Sequence, residues 1–164
     1  MTKGPQVPQT SSGDEALLRT FDIHSRITIY LIENLDPAAW RATPPGGKGR
    51  DIAGLVAHIH SVHAMWLKAG GSAIVPAPLD KATVTPQQAF EGLRATASAL
   101  RALIAQSLES GVRVKSFKPD TTAFVGYLVA HDSHHRGQIA MLARQAGYPL
   151  PKTANFGMWE WGVR

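Results

Sequence analysis

Four stretches of the chain repeat apolar residues at intervals of three, four or seven, the spacing that collects side chains on one face of an α-helix. No stretch alternates polar and apolar residues as a half-buried strand would. The repeating positions are Leu17, Phe21, His24, Thr28, Leu31 and Leu35 in the first stretch, Ile52, Leu55, Ile59, Val62 and Trp66 in the second, Phe90, Leu93, Ala97, Leu100 and Ile104 in the third, and Phe124, Leu128, His131, His135 and Leu142 in the fourth. The pattern predicts an all-α protein, a bundle of four main helices.

Capping signals predict where these helices begin and end. Residues 12–15 (Ser-Gly-Asp-Glu) and 85–88 (Thr-Pro-Gln-Gln) fit the capping box, in which a hydroxyl and a side chain three residues later satisfy free amides. Asp51 is expected to cap the second helix, and the fourth is expected to start near Asp120 and to end at Gly147. The connection from residue 71 to about 84 is longer than the roughly 2–8 residues usual between bundle helices. It is expected either to join parallel neighbours or to carry function.

The chain ends differ in character from the helical region. Residues 1–11 are polar and contain proline, which predicts a flexible N-terminal tail ahead of a single domain spanning residues 12–164. The C-terminal segment is unusually aromatic, with Phe156, Met158, Trp159 and Trp161 close together. We expect it to dock on the bundle, either as a core cap or dimer contact or as an apolar wall of a functional pocket.

Composition narrows the possible functions. The 164 residues include no cysteine, which excludes disulfides, thiolate metal sites and cysteine nucleophiles. Lys and Arg outnumber Asp and Glu by 17 to 12, giving a net charge of +5, but the cations are scattered and favour small anionic ligands over nucleic acid. No signal peptide or membrane-spanning run is recognisable, so we expect a cytoplasmic protein that interacts with neither membrane nor nucleic acid.

Histidine clustering supplies the candidate chemistry. Six of the seven histidines fall in two groups: His58, His60 and His63 on helix two, and His131, His134 and His135 on helix four. His131 and His135 are one helical turn apart on the apolar face, so both imidazoles can reach one metal ion, whereas His134 is expected to flank the site. A third ligand must come from another helix. Helical phase favours His63, and His58 and His24 remain alternatives.

The segment from His131 to Ile139 (HDSHHRGQI) resembles the HxxHHRGQ signature of the DinB-like (DinB/YfiT) superfamily. The region from Asp51 to Leu67 is similar to that family's second helix, and the likeness extends from about Ala16 to Tyr148. The resemblance implies a bundle of up-down-down-up topology. It also implies a metal triad of His58, His131 and His135, so that His58 takes precedence over His63.

The same resemblance implies a function. A site of three histidines suits Zn²⁺ or Ni²⁺ and leaves a position open for water or substrate. Relatives of this kind use low-molecular-weight thiols in transferase and isomerase reactions, which suggests an S-transferase acting on small electrophiles, with a hydrolase or isomerase also possible. The alternative is a non-enzymatic ligand-binding or stress-associated bundle with a structural metal. The sequence identifies no catalytic residues. Four polar neighbours of the histidines are expected to be solvated or to support the ligands through hydrogen bonds: Asp132, His134, Arg136 and Gln138. Because members of this family often form dimers, the resemblance also implies a homodimer.

Overall fold

The computed structural model describes residues 11–164, so the predicted flexible tail lies, except for its last residue, outside the described residues. Four long helices dominate: α1 Ser12–Glu33, α2 Ile52–Gly70, α3 Pro86–Ser110 and α4 Thr121–Gln145, followed by the short α5 Lys152–Gly157. A single 3₁₀ turn, Pro37–Ala39, follows α1, and no strand occurs within residues 11–164. The predicted all-α four-helix bundle is confirmed. No helix in this part of the chain is long and apolar enough to cross a membrane.

Helix starts follow the predicted capping chemistry, with one shift. At α3 the Thr85 hydroxyl accepts from the backbone of Gln88, and the Gln88 side chain accepts from the backbone of Thr85. At α1 the cap is Ser11 rather than Ser12: its hydroxyl accepts from the Asp14 amide at 3.2 Å, and the Asp14 carboxylate accepts from the Ser11 amide at 3.0 Å. Two adjacent serines, each followed three residues later by an acid, made both registers compatible with the sequence pattern.

Two hydrophobic clusters reveal the direction of each helix. One cluster joins the C-terminal half of α1 to the N-terminal halves of α2 and α3 and the C-terminal half of α4. The other joins the opposite ends of the same four helices. Helices α1 and α4 therefore run one way and α2 and α3 the other, which is the expected up-down-down-up topology. Helices α3 and α4 each pack against both α1 and α2, so the order around the bundle is α1, α3, α2, α4.

The two connections that flank α2 fasten each other at one end of the bundle. The Trp40 indole donates to the Val84 carbonyl at 2.8 Å, and the Arg41 guanidinium donates to the carbonyls of Lys81 and Ala82. The connection after α2 therefore returns along the bundle, so that α3 starts parallel to α2. This confirms the first of its two expected roles, which was to join parallel neighbouring helices. The same bonds hold the start of the loop before α2, whose Pro44, Gly49 and Arg50 line one cavity together with α4 residues between His134 and Gln145.

The C-terminal segment docks through small side chains rather than through its large rings. Ala154 and Gly157 are buried, and an added Cβ at Gly157 would lie 2.6 Å from the Tyr30 hydroxyl, so glycine is what allows the close approach to α1. Phe156 and Trp159 stay 73% and 79% exposed. The segment is thus attached to the bundle as expected, but most of its aromatic surface remains in solvent.

Candidate metal centre

Three imidazoles from two helices converge at mid-height of the bundle. His58 comes from α2, and His131 and His135 come from α4. One nitrogen of each lies within 4.8 Å of the corresponding nitrogen of the other two, an arrangement that can hold a metal ion. The ring centroids are 4.6 Å apart for His131–His135, 4.7 Å for His58–His135 and 5.4 Å for His58–His131. We refer to these three residues as the triad.

Hydrogen bonds fix which nitrogen each α4 imidazole offers. His131 Nδ1 lies 3.0 Å from a carboxylate oxygen of Asp132, which can only accept, so Nδ1 carries the proton. Its Nε2 is buried and has no partner among the described residues. His135 Nδ1 donates in the same way to the Gln138 side-chain oxygen at 2.8 Å. Both residues therefore direct an unprotonated Nε2 away from their hydrogen-bond partners, which is the form that binds metal.

The surroundings disfavour the charged forms of His58 and His135. Burial, the positive charge of Arg50 and the proximity of His135 lower the pKa of His58 to about 4. Burial also lowers the pKa of His135, against the opposing effect of its bond to Gln138. Because a metal competes with protons for imidazole lone pairs, lowered pKa values leave these two ligands available at neutral pH.

A buried carboxylate supports the triad from behind. Asp132 is 1% exposed, and besides His131 it accepts hydrogen bonds from His24 Nε2 at 3.1 Å and His63 Nε2 at 3.0 Å. Burial alone would raise the pKa of this carboxyl, but the charge of His63 and the hydrogen bonds from the three imidazoles hold it well below its usual value. Asp132 is thus an ionised acceptor that orients His131. Of the two roles expected for it, solvated or supporting, the structure shows the supporting one.

The other candidate histidines lie elsewhere. His63, favoured by helical phase, and His24 both bind Asp132 and do not join the triad. His60 is fully buried, and neither of its ring nitrogens has a partner among the described residues. His134 is exposed with its ring edge against His135, in the flanking position expected for it.

A signal for Asp132 was present in the sequence. Leu128, Asp132, His135 and Ile139 follow one another at intervals of four, three and four, so Asp132 lies in the apolar seam of α4. A carboxylate buried in such a seam requires hydrogen-bond donors or positive charges as partners. The histidines in the apolar seams of α1 and α2 are residues of the right type to supply them.

The triad is closed on one side and open on the other. Aromatic rings of Trp66, Phe117, Phe124 and Tyr127 pack edge to face next to it, and Tyr127 stacks on His131 with ring centroids 6.1 Å apart. On the other side, His135 lines a cavity of about 430 Å³ together with Arg50, Gln138 and Leu55. The loop before α2 contributes Pro44 and Gly49 to this cavity, whereas the C-terminal segment contributes no residue, so the lining does not support the alternative in which that segment forms an apolar wall of this pocket.

Comparison with known proteins supplies a family. The model of the DinB family matches residues 8–161, a stretch that includes all four long helices and the whole triad. No curated protein and no solved structure matches the chain significantly.

Proposed function

We propose that this chain, which belongs to the DinB family, is a metal-dependent enzyme whose His58, His131 and His135 hold one Zn²⁺ or Ni²⁺ ion. The observation that carries the proposal is the cluster of one nitrogen from each of three imidazoles, together with the buried Nε2 of His131, an acceptor that has no partner in the described part of the chain. Leaving such an acceptor unpaired costs about 1–3 kcal/mol, a cost that a bound metal would remove.

The donor set fits a reactive ion better than a structural one. Structural zinc sites are usually closed by four protein ligands, whereas catalytic sites supply three and leave a position for water or substrate. Only three donors cluster here among residues 11–164, and one of them, His135, borders the cavity. When bound, the ion would lower the pKa of a water or thiol placed at the open position.

Residues around the cavity indicate the kind of molecule it takes. Arg50 and the amide of Gln138 supply polar donors, Leu55 and Leu142 supply apolar surface, and no carboxylate from residues 11–164 lines the cavity. A small molecule with an anionic group and an apolar part suits this lining. We therefore propose transfer of a low-molecular-weight thiol to a small electrophile, in which Arg50 would hold the anionic group and the aromatic cluster beside His131 would keep water away.

Two measurements test the proposal. Metal content after purification without affinity resin should be close to one ion per chain for the parent protein. It should fall to near zero for His135→Ala and remain at the parent level for His134→Ala, a matched loss of a neighbouring imidazole outside the triad. Equal metal content in the two variants would contradict the assignment of the triad.

Activity is then measured with a panel of thiols and a generic electrophile. We expect turnover that disappears on chelation and returns on adding Zn²⁺ or Ni²⁺. Bound metal without turnover of any pair would instead favour the non-enzymatic alternative, a ligand-binding bundle with a structural metal.

A further inference from the structure

A second cavity lies on a different side of α4 from the triad. It has a volume of about 330 Å³ and sits between α4, α1 and the C-terminal segment. Its lining includes Arg136 and Gly137 of α4, Ile27 of α1, and Trp159 and Trp161 of the segment. None of the triad residues contributes to it. The volume is at the lower end of the roughly 300–1,000 Å³ typical of small-molecule sites.

Arg136 brings a positive charge to the lining of this cavity and has N–H donors without a partner in the described chain. Its Nη1 donates to His24 Nδ1 at 3.1 Å and to the Thr28 hydroxyl at 2.7 Å, and its Nη2 donates to the Ser133 hydroxyl at 2.7 Å. A guanidinium has five N–H groups, so Nε and one hydrogen of Nη2 are left without a partner within residues 11–164. All three acceptors are uncharged groups, and Arg136 forms no ion pair with a carboxylate in this part of the chain.

The C-terminal segment contributes aromatic residues to the cavity lining. Trp159 and Trp161 are 79% and 39% exposed, and Met158 beside them is partly buried against the core. Indole rings left in solvent at the mouth of a cavity are a surface that a flat apolar group can cover. Gly137 keeps the α4 side open, since a Cβ added there would meet no atom within 4 Å.

We propose that this cavity binds a small aromatic carboxylate, with its carboxylate on Arg136 and its ring against Trp159 and Trp161. The fork of a guanidinium matches a carboxylate, and such charge-assisted bonds are about twice as strong as neutral ones. The proposal does not depend on the triad holding a metal, because the two cavities share no lining residue.

Isothermal titration calorimetry of the full chain with indole-3-acetate tests the site. We expect saturable binding of one molecule per chain and about tenfold weaker binding of indole-3-acetamide, which has the same shape without the charge. Equal affinities for acid and amide would overturn the assignment to Arg136. Absence of saturable binding would overturn the proposal altogether.

Variants locate the site. Trp159→Ala should weaken indole-3-acetate binding about tenfold, the loss of one aromatic contact, whereas Phe156→Ala, a matched loss of an exposed ring outside the cavity, should leave affinity within about twofold. Gly137→Leu should abolish binding by filling the cavity, and because leucine favours helix more than glycine this variant is expected to fold.

The triad serves as the remaining control. His58→Ala should retain indole-3-acetate affinity within about twofold, whereas a loss of binding would show that the acid sits at the triad and would overturn the proposal. Sedimentation of the parent protein and Trp159→Ala addresses a second copy of the chain as the occupant. A dimer that dissociates in the variant, with no indole-3-acetate bound by either protein, would mean that the cavity is an interface instead.

Discussion

Replacing Asp132 by asparagine tests how the triad is held. The carboxylate accepts hydrogen bonds from His24, His63 and His131 and is buried from solvent. Asparagine keeps the volume but has one acceptor oxygen and a donor NH₂ group. At least one of the three imidazoles must then face a donor, and it must rotate, change tautomer or leave its N–H unpaired.

The expected magnitude follows from these contacts. Hydrogen bonds to a charged group contribute about 1.5–3 kcal/mol each, and leaving a buried donor unpaired costs about 1–3 kcal/mol. We expect Asp132→Asn to lower the free energy of unfolding of the metal-free protein by about 2–4 kcal/mol. If His131 loses its orientation, metal affinity should fall about 10–100-fold, the usual effect of removing a partner of a metal-binding histidine.

Urea unfolding measures the first effect, and competition with a chromogenic zinc chelator measures the second. Asp22→Asn is the matched control, because Asp22 pairs with Arg101 at a partly exposed position and should contribute less than about 1 kcal/mol. Metal affinity of Asp132→Asn within twofold of the parent would refute the orienting role of this carboxylate. Unchanged stability would refute the buried hydrogen bonds themselves.

Three further predictions concern single histidines. His58→Ala should abolish tight metal binding, whereas His63→Ala should mainly destabilise the bundle. Metal titration and urea unfolding of both variants test this. The reverse pattern would place the third ligand at His63. His60→Leu should raise stability by about 1 kcal/mol at pH 7.5, because it removes two buried nitrogens without partners. Burial and the nearby charge of His63 lower the pKa of His60 to about 4. In the unfolded chain His60 binds a proton near pH 6.5, whereas in the folded chain it does so only near pH 4. The free energy of unfolding of the parent should therefore fall by up to about 3 kcal/mol between pH 6.5 and 4 because of His60. Parallel pH profiles of the parent and His60→Leu would contradict this. Because the pKa of His58 is also about 4, His58 should take up no proton between pH 7.5 and 6 in the metal-free protein, and an NMR titration in which its imidazole shifts in that range would contradict this.

The fold was predictable because its signals are local. Apolar spacing and capping residues depend on neighbours within one helical turn, and they located all four helices, with the register error at Ser11 arising where two caps were equally good. The pairing of His131 with His135 was predictable for the same reason, since both lie on one helix.

The partner from α2 was not predictable from phase. Every residue from Ile52 to Ala57 is buried, so this half of the helix has no distinct stripe from which to judge which way His58 or His63 faces. The family resemblance pointed to His58, the residue that the structure brings to the triad. The exposed rings of the C-terminal segment depend on packing between distant parts of the chain, which periodicity does not report.

The bonds around Asp132 bear on when a metal can enter. His24 of α1 and His63 of α2 both donate to Asp132 of α4, and His63 Nδ1 lies 3.1 Å from the Thr96 hydroxyl of α3, so side-chain hydrogen bonds join all four helices at one level. In zinc fingers the chain folds only as metal binds, which fixes the ion at the moment of folding. Here hydrogen bonds within the protein already join the helices beside the triad, so we expect the chain to fold without an ion and a metal at the triad to be exchangeable in the folded protein. The supply of ions around the folded molecule would then determine which metal the triad holds.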